Sequence, residues 1–146
     1  MRAVVQRIKN GKVSVDGVVS GEMHEGLLVY LAIAPSDTEA IAEKMAAKII
    51  NLRIFEDEQG KMNNKLLAVH GGLLVVSQFT LYADTKKGNR PSYNLSAPPE
   101  LAKKLYDYFV AYTQQLSVPI ATGMFGASME VTYTNMGPVT IILDID

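Results

Sequence analysis

The amino-acid sequence predicts an α+β fold, in which a mainly antiparallel, barrel-like β-sheet carries two helices packed on its outside. Three observations predict this class. About seven β-prone segments outnumber two helical ones, most β connections are hairpin-like, and each helical segment has one apolar stripe that must face a sheet. The chain has 146 residues, 48% hydrophobic and 20% charged. This size and composition predict one globular domain over residues 1–146.

The chain opens with segments typical of antiparallel strands. Residues 4–15 and 18–23 alternate in polarity around Asp16-Gly17, a dipeptide that favours the tight turn of a hairpin. Residues 26–34 then form a continuous apolar run, which is typical of a strand buried on both faces. We therefore expect two hairpin strands followed by a core strand.

A helix is predicted after the core strand. Ser36 and Glu39 have the spacing of a capping box, and apolar residues recur with helical periodicity as far as Asn51. Residues 52–56 are typical of a further strand, and residues 57–60 of a turn. This helix should cover one face of the sheet.

The second half predicts a central strand, a second helix and two final strands. Residues 73–82 are rich in β-branched and aromatic side chains. Pro98-Pro99 suits the first turn of a helix that runs to about Leu116. Residues 128–135 and 139–145 predict two strands, separated only by Met136-Gly137-Pro138.

Composition excludes several classes of protein. The chain has no cysteine, which excludes disulfides, thiolate nucleophiles and cysteine-ligated metals. No stretch approaches the roughly 18 apolar residues of a membrane span, so we expect a cytoplasmic protein without a membrane partner. Phosphate-loop, zinc-binding and Gly-x-Ser-x-Gly motifs are missing, so we expect neither a metal nor a cofactor.

The charge pattern limits how the chain could bind nucleic acid. Its net charge is −1, so any RNA contact must come from a local patch. The basic residues concentrate in one short stretch, with two more lysines further along: Lys86, Lys87, Arg90, Lys103 and Lys104. A solvated loop without a ligand is the alternative interpretation.

Two short segments depart from the strand pattern on either side of them. Ser77, Gln78 and Thr80 are polar residues within an apolar strand, so at least one should enter the core or a pocket, unless the strand simply crosses into solvent. Gly137-Pro138 could be an ordinary turn, and its cis or trans geometry cannot be inferred from sequence. The two histidines, His24 and His70, both lie beside turns and are poor candidates for a general base.

Several ordered segments together resemble the D-aminoacyl-tRNA deacylase family, also called D-tyrosyl-tRNA deacylases. The resemblance spans almost the full length of the chain. Its segments are Met1 to Arg7, Phe55 to Asn63, Ser77-Gln78-Phe79-Thr80-Leu81, Lys87 to Ser92, and Asn135-Met136-Gly137-Pro138-Val139-Thr140. The resemblance implies a homodimeric enzyme that hydrolyses the ester of D-aminoacyl-tRNA, or of glycyl-tRNA mischarged on tRNA-Ala, and so proofreads chirality in translation.

The resemblance also implies how chirality is selected. The Gly-Pro bond would be cis and would enter the active site of the other subunit, where the carbonyl oxygens of Gly137 and Pro138 would exclude an L side chain. D-residues and glycine would fit. Arg7 is our candidate for orienting this motif, because a guanidinium can bind two carbonyls at once, although an exposed arginine is the alternative. Met136 replaces the family's usual acidic residue, which questions any role for that side chain.

For hydrolysis, Ser77, Gln78, Phe79 and Thr80 are the candidate catalytic residues. The backbone amides of Phe79 and Thr80 would stabilise the oxyanion. Water attack, assisted by the terminal 2′-OH of the tRNA as the resemblance implies, is favoured over a Thr80 nucleophile, because no base stands ready to activate the hydroxyl.

The remaining candidates would bind the 3′ end of the aminoacylated tRNA. Met129 would shape the pocket together with Gln78, and Phe125 would stack on the terminal adenine unless it only packs in the core. Lys86, Lys87 and Arg90 would contact phosphates.

Two rival functions stay open at this point. One is a related editing deacylase with a trans Gly-Pro bond. The other is a non-catalytic RNA-binding or dimerisation module, which would bind tRNA without turnover.

Overall fold

The computed structural model describes residues 1–146 and contains two helices and seven strands. In chain order these are β1 Arg2–Val15, β2 Val18–Ala32, α1 Glu39–Asn51, β3 Phe55–Glu56, β4 Met62–Asn64, β5 Gly72–Ser77, α2 Pro99–Gln115, β6 Ile120–Thr122 and β7 Glu130–Asp144. Two short 3-10 helices, Leu66–Val69 and Phe79–Tyr82, lie on either side of β5. The predicted α+β class with two helices is confirmed.

Five strands form the main sheet in the order β6-β5-β2-β1-β7. The long strands β1, β2 and β7 pair antiparallel, as predicted, whereas β5 lies parallel to both β2 and β6. The sheet is therefore mixed. The parallel pairs follow from the connections, since α1 lies between β2 and β5 and α2 between β5 and β6, and parallel neighbours need such crossovers. Closure of the sheet into a barrel stays a prediction.

The second predicted hairpin strand and the core strand after it need one correction. Residues 18–23 and 26–32 belong to a single strand, β2, which runs without a break through Gly26 and ends at Ala32. Gly26 has φ +150°, and a Cβ there would stand 1.9 Å from the carbonyl oxygen of Gly72 on the neighbouring strand. Only glycine permits this close approach of β2 to β5.

The start of α1 was predicted two residues too early. Thr38, not Ser36, is the N-cap, and its hydroxyl accepts from the Ile41 amide. The Asp37 carboxylate is already engaged, because it accepts hydrogen bonds from the Ala34 amide and from the buried amino group of Met1. Asp37 thereby fixes the chain just before the helix.

Two further predictions about strands were wrong. β5 ends at Ser77, and the predicted continuation to residue 82 is instead a 3-10 helix. Residues 128–145 do not form two strands separated by a turn. Glu130–Asp144 instead form one edge strand, β7, that passes through Gly137-Pro138 with a register shift in its pairing with β1.

The core lies between the two helices and one face of the sheet. A cluster of 23 buried hydrophobic residues joins alternate residues of the strands to the inner faces of α1 and α2, with Phe109 among the largest. A cluster of five, including Leu28 and Leu74, occupies the opposite face of the sheet. Neither helix combines the length and apolar character that a membrane crossing requires.

Candidate active site

The segment Ser77 to Thr80 occupies the point where the central strand gives way to a helix. Ser77 is the last residue of β5, and the Gln78 amide still donates to the Leu31 carbonyl of β2 at 2.9 Å. Phe79 and Thr80 then begin the 3-10 helix. The opening amides of such a helix have no acceptor within it, so the two N–H groups can donate to a ligand.

The carboxyl end of β5 opens into a cavity. Ser77, Gln78 and Phe79 line a space of about 210 Å³ together with Met129, which directly precedes β7. A smaller space of about 60 Å³ adjoins it, is lined by the same three residues, and brings in Phe125. The structure therefore places five of the sequence-predicted site residues around two connected hollows.

Thr80 belongs to this segment but lines neither hollow. Its hydroxyl oxygen accepts a short hydrogen bond from the side-chain amide of Gln78. A carboxamide cannot take a proton from the hydroxyl. Thr80 thus has no neighbouring base that would turn it into a nucleophile.

Two contacts hold Phe79 beside the cavity. Its carbonyl oxygen accepts from the Ser96 hydroxyl at 2.9 Å, and its ring packs edge-on against Tyr93 with centroids 5.0 Å apart. The Phe79 side chain is nevertheless 55% exposed. Ser96 and Tyr93 were missed in the sequence, because nothing local shows that their loop returns to the end of β5.

Phe125 is half-buried and packs against Tyr106 of α2, with ring centroids 5.7 Å apart. The Tyr106 hydroxyl donates to the Val75 carbonyl of β5 at 2.9 Å, and burial raises the pKa of this phenol. Tyr106 therefore ties the Phe125 ring to the central strand. Phe125 therefore packs against the core on one side and lines the hollow on the other, where it can contact a ligand.

The Gly137–Pro138 peptide bond is cis, and Gly137 has φ +119°. Both residues are exposed. Asn135 bridges the segment, since its side-chain oxygen accepts from the Val139 amide and its amide donates to the Thr140 hydroxyl. The sequence motif contained Asn135 and Thr140, but only the structure shows that they bracket the Gly-Pro.

Arg7 of β1 reaches the residue that precedes the Gly-Pro. Its Nε donates to the Met136 carbonyl at 3.1 Å and its Nη1 to the Ile54 carbonyl at 2.8 Å. The guanidinium thus binds two carbonyls, one at the motif and one before β3. Since Met136 contributes its carbonyl oxygen to this contact, the contact does not require an acidic side chain there.

Within one chain the two halves of the candidate site lie apart. Arg7 and Met136 line a separate cavity of about 230 Å³, and none of its lining residues borders the hollows beside Ser77. β5 and β7 are separated by β2 and β1 in the sheet. β7 nevertheless reaches the hollow beside Ser77 at its start, where Val131 lines it, and Gly137 lies six residues further along the strand. At about 3.3 Å per residue, this is a separation of about 20 Å along the strand.

The basic residues occupy an exposed turn. Lys86, Lys87 and Arg90 lie between Asp84 and Ser92, whose backbones pair at 2.8 and 2.9 Å. None of the three lines the cavities described above. His24 and His70 are likewise exposed and line none of these cavities, although their neighbours Glu25 and Val69 line the one at Arg7.

Comparison with known proteins gives a consistent result. Residues 4–144 match the family model described as D-Tyr-tRNA(Tyr) deacylase. A D-aminoacyl-tRNA deacylase of Thermosipho africanus (strain TCF52B) is 54% identical over 144 residues, which cover 99% of this chain and 97% of that protein. A protein of the same name from Aquifex aeolicus (strain VF5) is 52% identical over 144 residues, with the same two coverages.

Two solved structures share the fold over the full chain. One is titled c-Myc DNA Unwinding Element Binding Protein; it has a TM-score of 0.92 and 40% sequence identity, and covers 99% of this chain and 98% of its own. The other is titled a probable eukaryotic D-amino acid tRNA deacylase, with a TM-score of 0.84, 17% identity and the same coverages. At that identity the second comparison shows the fold alone.

Proposed function

The chain belongs to the D-Tyr-tRNA(Tyr) deacylase family and is therefore a hydrolase of aminoacyl-tRNA esters, and we propose that it removes D-amino acids from tRNA while sparing L-aminoacyl-tRNA. Glycyl-tRNA mischarged on tRNA-Ala is a second substrate in this proposal. The enzyme would act as one domain in the cytoplasm, as a proofreading step in translation. Its sheet would close towards a barrel in the assembled protein.

The separation of the two half-sites within one chain carries the proposal that the enzyme works as a homodimer. A substrate ester at the Phe79 and Thr80 amides cannot also touch Gly137 and Pro138 of the same chain, because these lie about 20 Å along β7 from the end that borders the hollow. Because Gly137 and Pro138 are exposed, they are free to enter the pocket of a second copy. The active site would then combine β5 of one subunit with the Gly-Pro of its partner.

The Gly-Pro carbonyls would select chirality by exclusion. An L side chain would point at the carbonyl oxygens of Gly137 and Pro138, whereas a D side chain would point away and glycine would have nothing to exclude. Such a wall discriminates only if it is rigid. The hydrogen bond from Arg7 to Met136 and the Asn135 bridge provide that support.

In the hydrolytic step, the Phe79 and Thr80 amides would donate to the oxyanion that develops on the ester carbonyl. Water would be the nucleophile, assisted by the terminal 2′-OH of the tRNA. The side chain of Gln78 holds Thr80 and so orients this backbone. The protein would then contribute mainly by positioning the ester and the water.

Recognition of the tRNA would use the two regions around the pocket. Phe125 would stack on the terminal adenine, Met129 would shape the pocket beside it, and Lys86, Lys87 and Arg90 would contact phosphates of the acceptor end. No cofactor or metal is part of this proposal.

The direct test measures release of amino acid from tRNA charged with D-tyrosine, L-tyrosine or glycine. We expect the D-tyrosyl and glycyl esters to be cleaved and the L-tyrosyl ester to be spared. Sedimentation of the same sample should give the mass of a dimer. Cleavage of L-tyrosyl-tRNA at the rate of the D-ester, or a monomeric mass in the active sample, would contradict the proposed mechanism.

A non-catalytic nucleic-acid-binding module is the second candidate. It is favoured by one observation, namely that the 40% identical structure is titled after binding to a DNA unwinding element. This candidate expects tRNA to bind without turnover in the same assay. The trans Gly-Pro rival expects a trans bond, whereas the bond at Gly137 is cis.

A further inference from the structure

A groove runs along α2 and continues the candidate active site. It has a volume of about 450 Å³ and lies between α2 and the segment that follows β6. Tyr106 and Phe125 line both this groove and the small hollow beside Ser77. The groove therefore borders the small hollow, which in turn shares Ser77, Gln78 and Phe79 with the larger one.

The groove has the composition of a site for a flat, partly apolar group. Val110 of α2 and Met124 of the opposite segment provide apolar surface, and the Met124 side chain is 54% exposed. Asp107, which follows Tyr106 in α2, also lines the groove. The volume of the groove falls within the range of about 300–1,000 Å³ that is typical of ligand pockets.

The charge of Asp107 is balanced at the rim of the groove. Lys103 Nζ contacts the Asp107 Oδ2 atom at 2.5 Å, one helical turn away on α2. Both side chains are more than half exposed, so this pair places a carboxylate acceptor at the open rim of the groove without leaving a net negative charge to repel a phosphate. The groove can thus receive an RNA strand and still offer a hydrogen-bond acceptor to a base.

We propose that this groove binds the cytidine that directly precedes the terminal adenosine of tRNA, and that Asp107 accepts a hydrogen bond from the exocyclic amino group of that cytosine. The inference rests on the proposed function, because it assumes that the adenosine ester occupies the hollows beside Ser77. Continuity through Tyr106 and Phe125 then leaves the groove as the place for the neighbouring nucleotide. Asp107 is a specificity residue here and takes no part in the chemistry.

The choice of cytosine follows from base chemistry. Cytosine presents an amino donor at position 4, which a carboxylate accepts, whereas uracil presents a carbonyl oxygen there. A carboxylate facing that oxygen would leave two acceptors opposed. An asparagine at the same position can turn its amide to suit either base, since it carries both a donor and an acceptor.

The test uses D-tyrosyl-tRNA with its natural cytidine, or with uridine, at the position before the terminal adenosine. The ratio of kcat/KM for the two substrates is measured in the wild type, in Asp107→Asn and in Glu100→Gln. Glu100 lies in the first turn of α2 and outside the groove. Glu100→Gln is therefore the matched control. Like Asp107→Asn, it replaces a carboxylate with an amide of the same size and removes one negative charge.

We expect the wild type and Glu100→Gln to prefer cytidine by about tenfold, the worth of one good base contact. Asp107→Asn should lower that ratio towards one. Release of Lys103 would change binding of both tRNAs alike, so the ratio isolates the contact with the base. Thermal unfolding of each variant checks that the fold is retained.

Three results would overturn the inference. The first is a wild-type ratio near one, and the second is an unchanged ratio in Asp107→Asn. The third needs D-alanyl-tRNA measured beside D-tyrosyl-tRNA: if Asp107→Asn changes only the preference between these two esters, the groove is assigned to the amino-acid side chain. If the wild type cleaves neither tRNA, the proposed function itself fails, which is distinguishable from all three.

Discussion

Gly137→Ala perturbs the proposed chirality wall at its most constrained residue. Gly137 has φ +119°, and an added Cβ would stand 2.8 Å from Arg7 Nη2 and 2.9 Å from Val139 Cγ2. The backbone conformation costs an L-residue about 1–3 kcal/mol. Displacing Arg7 weakens its charged hydrogen bond to the Met136 carbonyl, which contributes about 1.5–3 kcal/mol. We therefore expect the free energy of unfolding to fall by about 3–5 kcal/mol.

The same displacement should move the wall. Urea unfolding measures the loss of stability, and release of amino acid from D-tyrosyl- and L-tyrosyl-tRNA measures selectivity. We expect the ratio of D to L hydrolysis to fall by at least about tenfold, which corresponds to about 1.4 kcal/mol between the two transition states. Gly60→Ala is the matched control, because Gly60 also has a positive φ, +74°, but a Cβ there meets no atom within 4 Å.

The control should lose only about 1 kcal/mol of stability and keep the selectivity of the wild type. A folded Gly137→Ala protein with wild-type selectivity would refute the proposal that these carbonyls form the wall. Equal loss of selectivity in Gly60→Ala would show instead that the effect follows general destabilisation.

Three further predictions follow from contacts of single side chains. In Arg7→Lys, a single amine replaces the guanidinium that donates to two carbonyls. Hydrolysis of L-tyrosyl-tRNA should therefore rise about tenfold, while hydrolysis of D-tyrosyl-tRNA changes little. An unchanged ratio of D to L hydrolysis would show that Arg7 has no part in the mechanism. Phe125→Ala should raise KM about tenfold with kcat nearly unchanged if the ring stacks on adenine, and a pure loss of stability with KM intact would assign it to the core. Burial, with a smaller contribution from Asp37, raises the pKa of Tyr82 to about 12, above the value near 10 expected in the unfolded chain. Its stabilising effect should therefore be complete below pH 10 and be lost as the pH rises towards 12, and Tyr82→Phe should flatten that part of a pH series of urea midpoints.

The end of β5 shows why local pattern misplaced an element. Residues 73–82 are β-prone throughout, yet pairing stops after the Gln78 amide meets the Leu31 carbonyl. The neighbouring strand, β2, ends one residue later at Ala32. Strand propensity reports side-chain fit to a sheet, but it does not report where the partner strand ends. The chain therefore bends into a helix at a point that only the tertiary structure defines.

The prediction for β7 failed in the opposite way, since the break predicted within this strand is absent. Gly137-Pro138 predicted a turn because both residues are common turn formers. β7 is an edge strand that pairs only with β1, and proline, which has no N–H to donate, is tolerated at an edge. The register shift between Gln6 and Ile8 of β1 accommodates the segment. The sequence showed the unusual dipeptide but not its position at the edge of the sheet.

The proposed chemistry would explain why the candidate site was predicted from the family motifs and not from catalytic side chains. The functional groups proposed here are main-chain atoms, namely the amides of Phe79 and Thr80 and the carbonyls of Gly137 and Pro138. Every residue has such atoms, so composition cannot reveal them. The sequence can reveal only the side chains that hold these main-chain atoms in place, as Arg7 does by donating to the Met136 carbonyl. Substitution of such a side chain should therefore alter selectivity by moving the backbone, even though no reacting group has been removed.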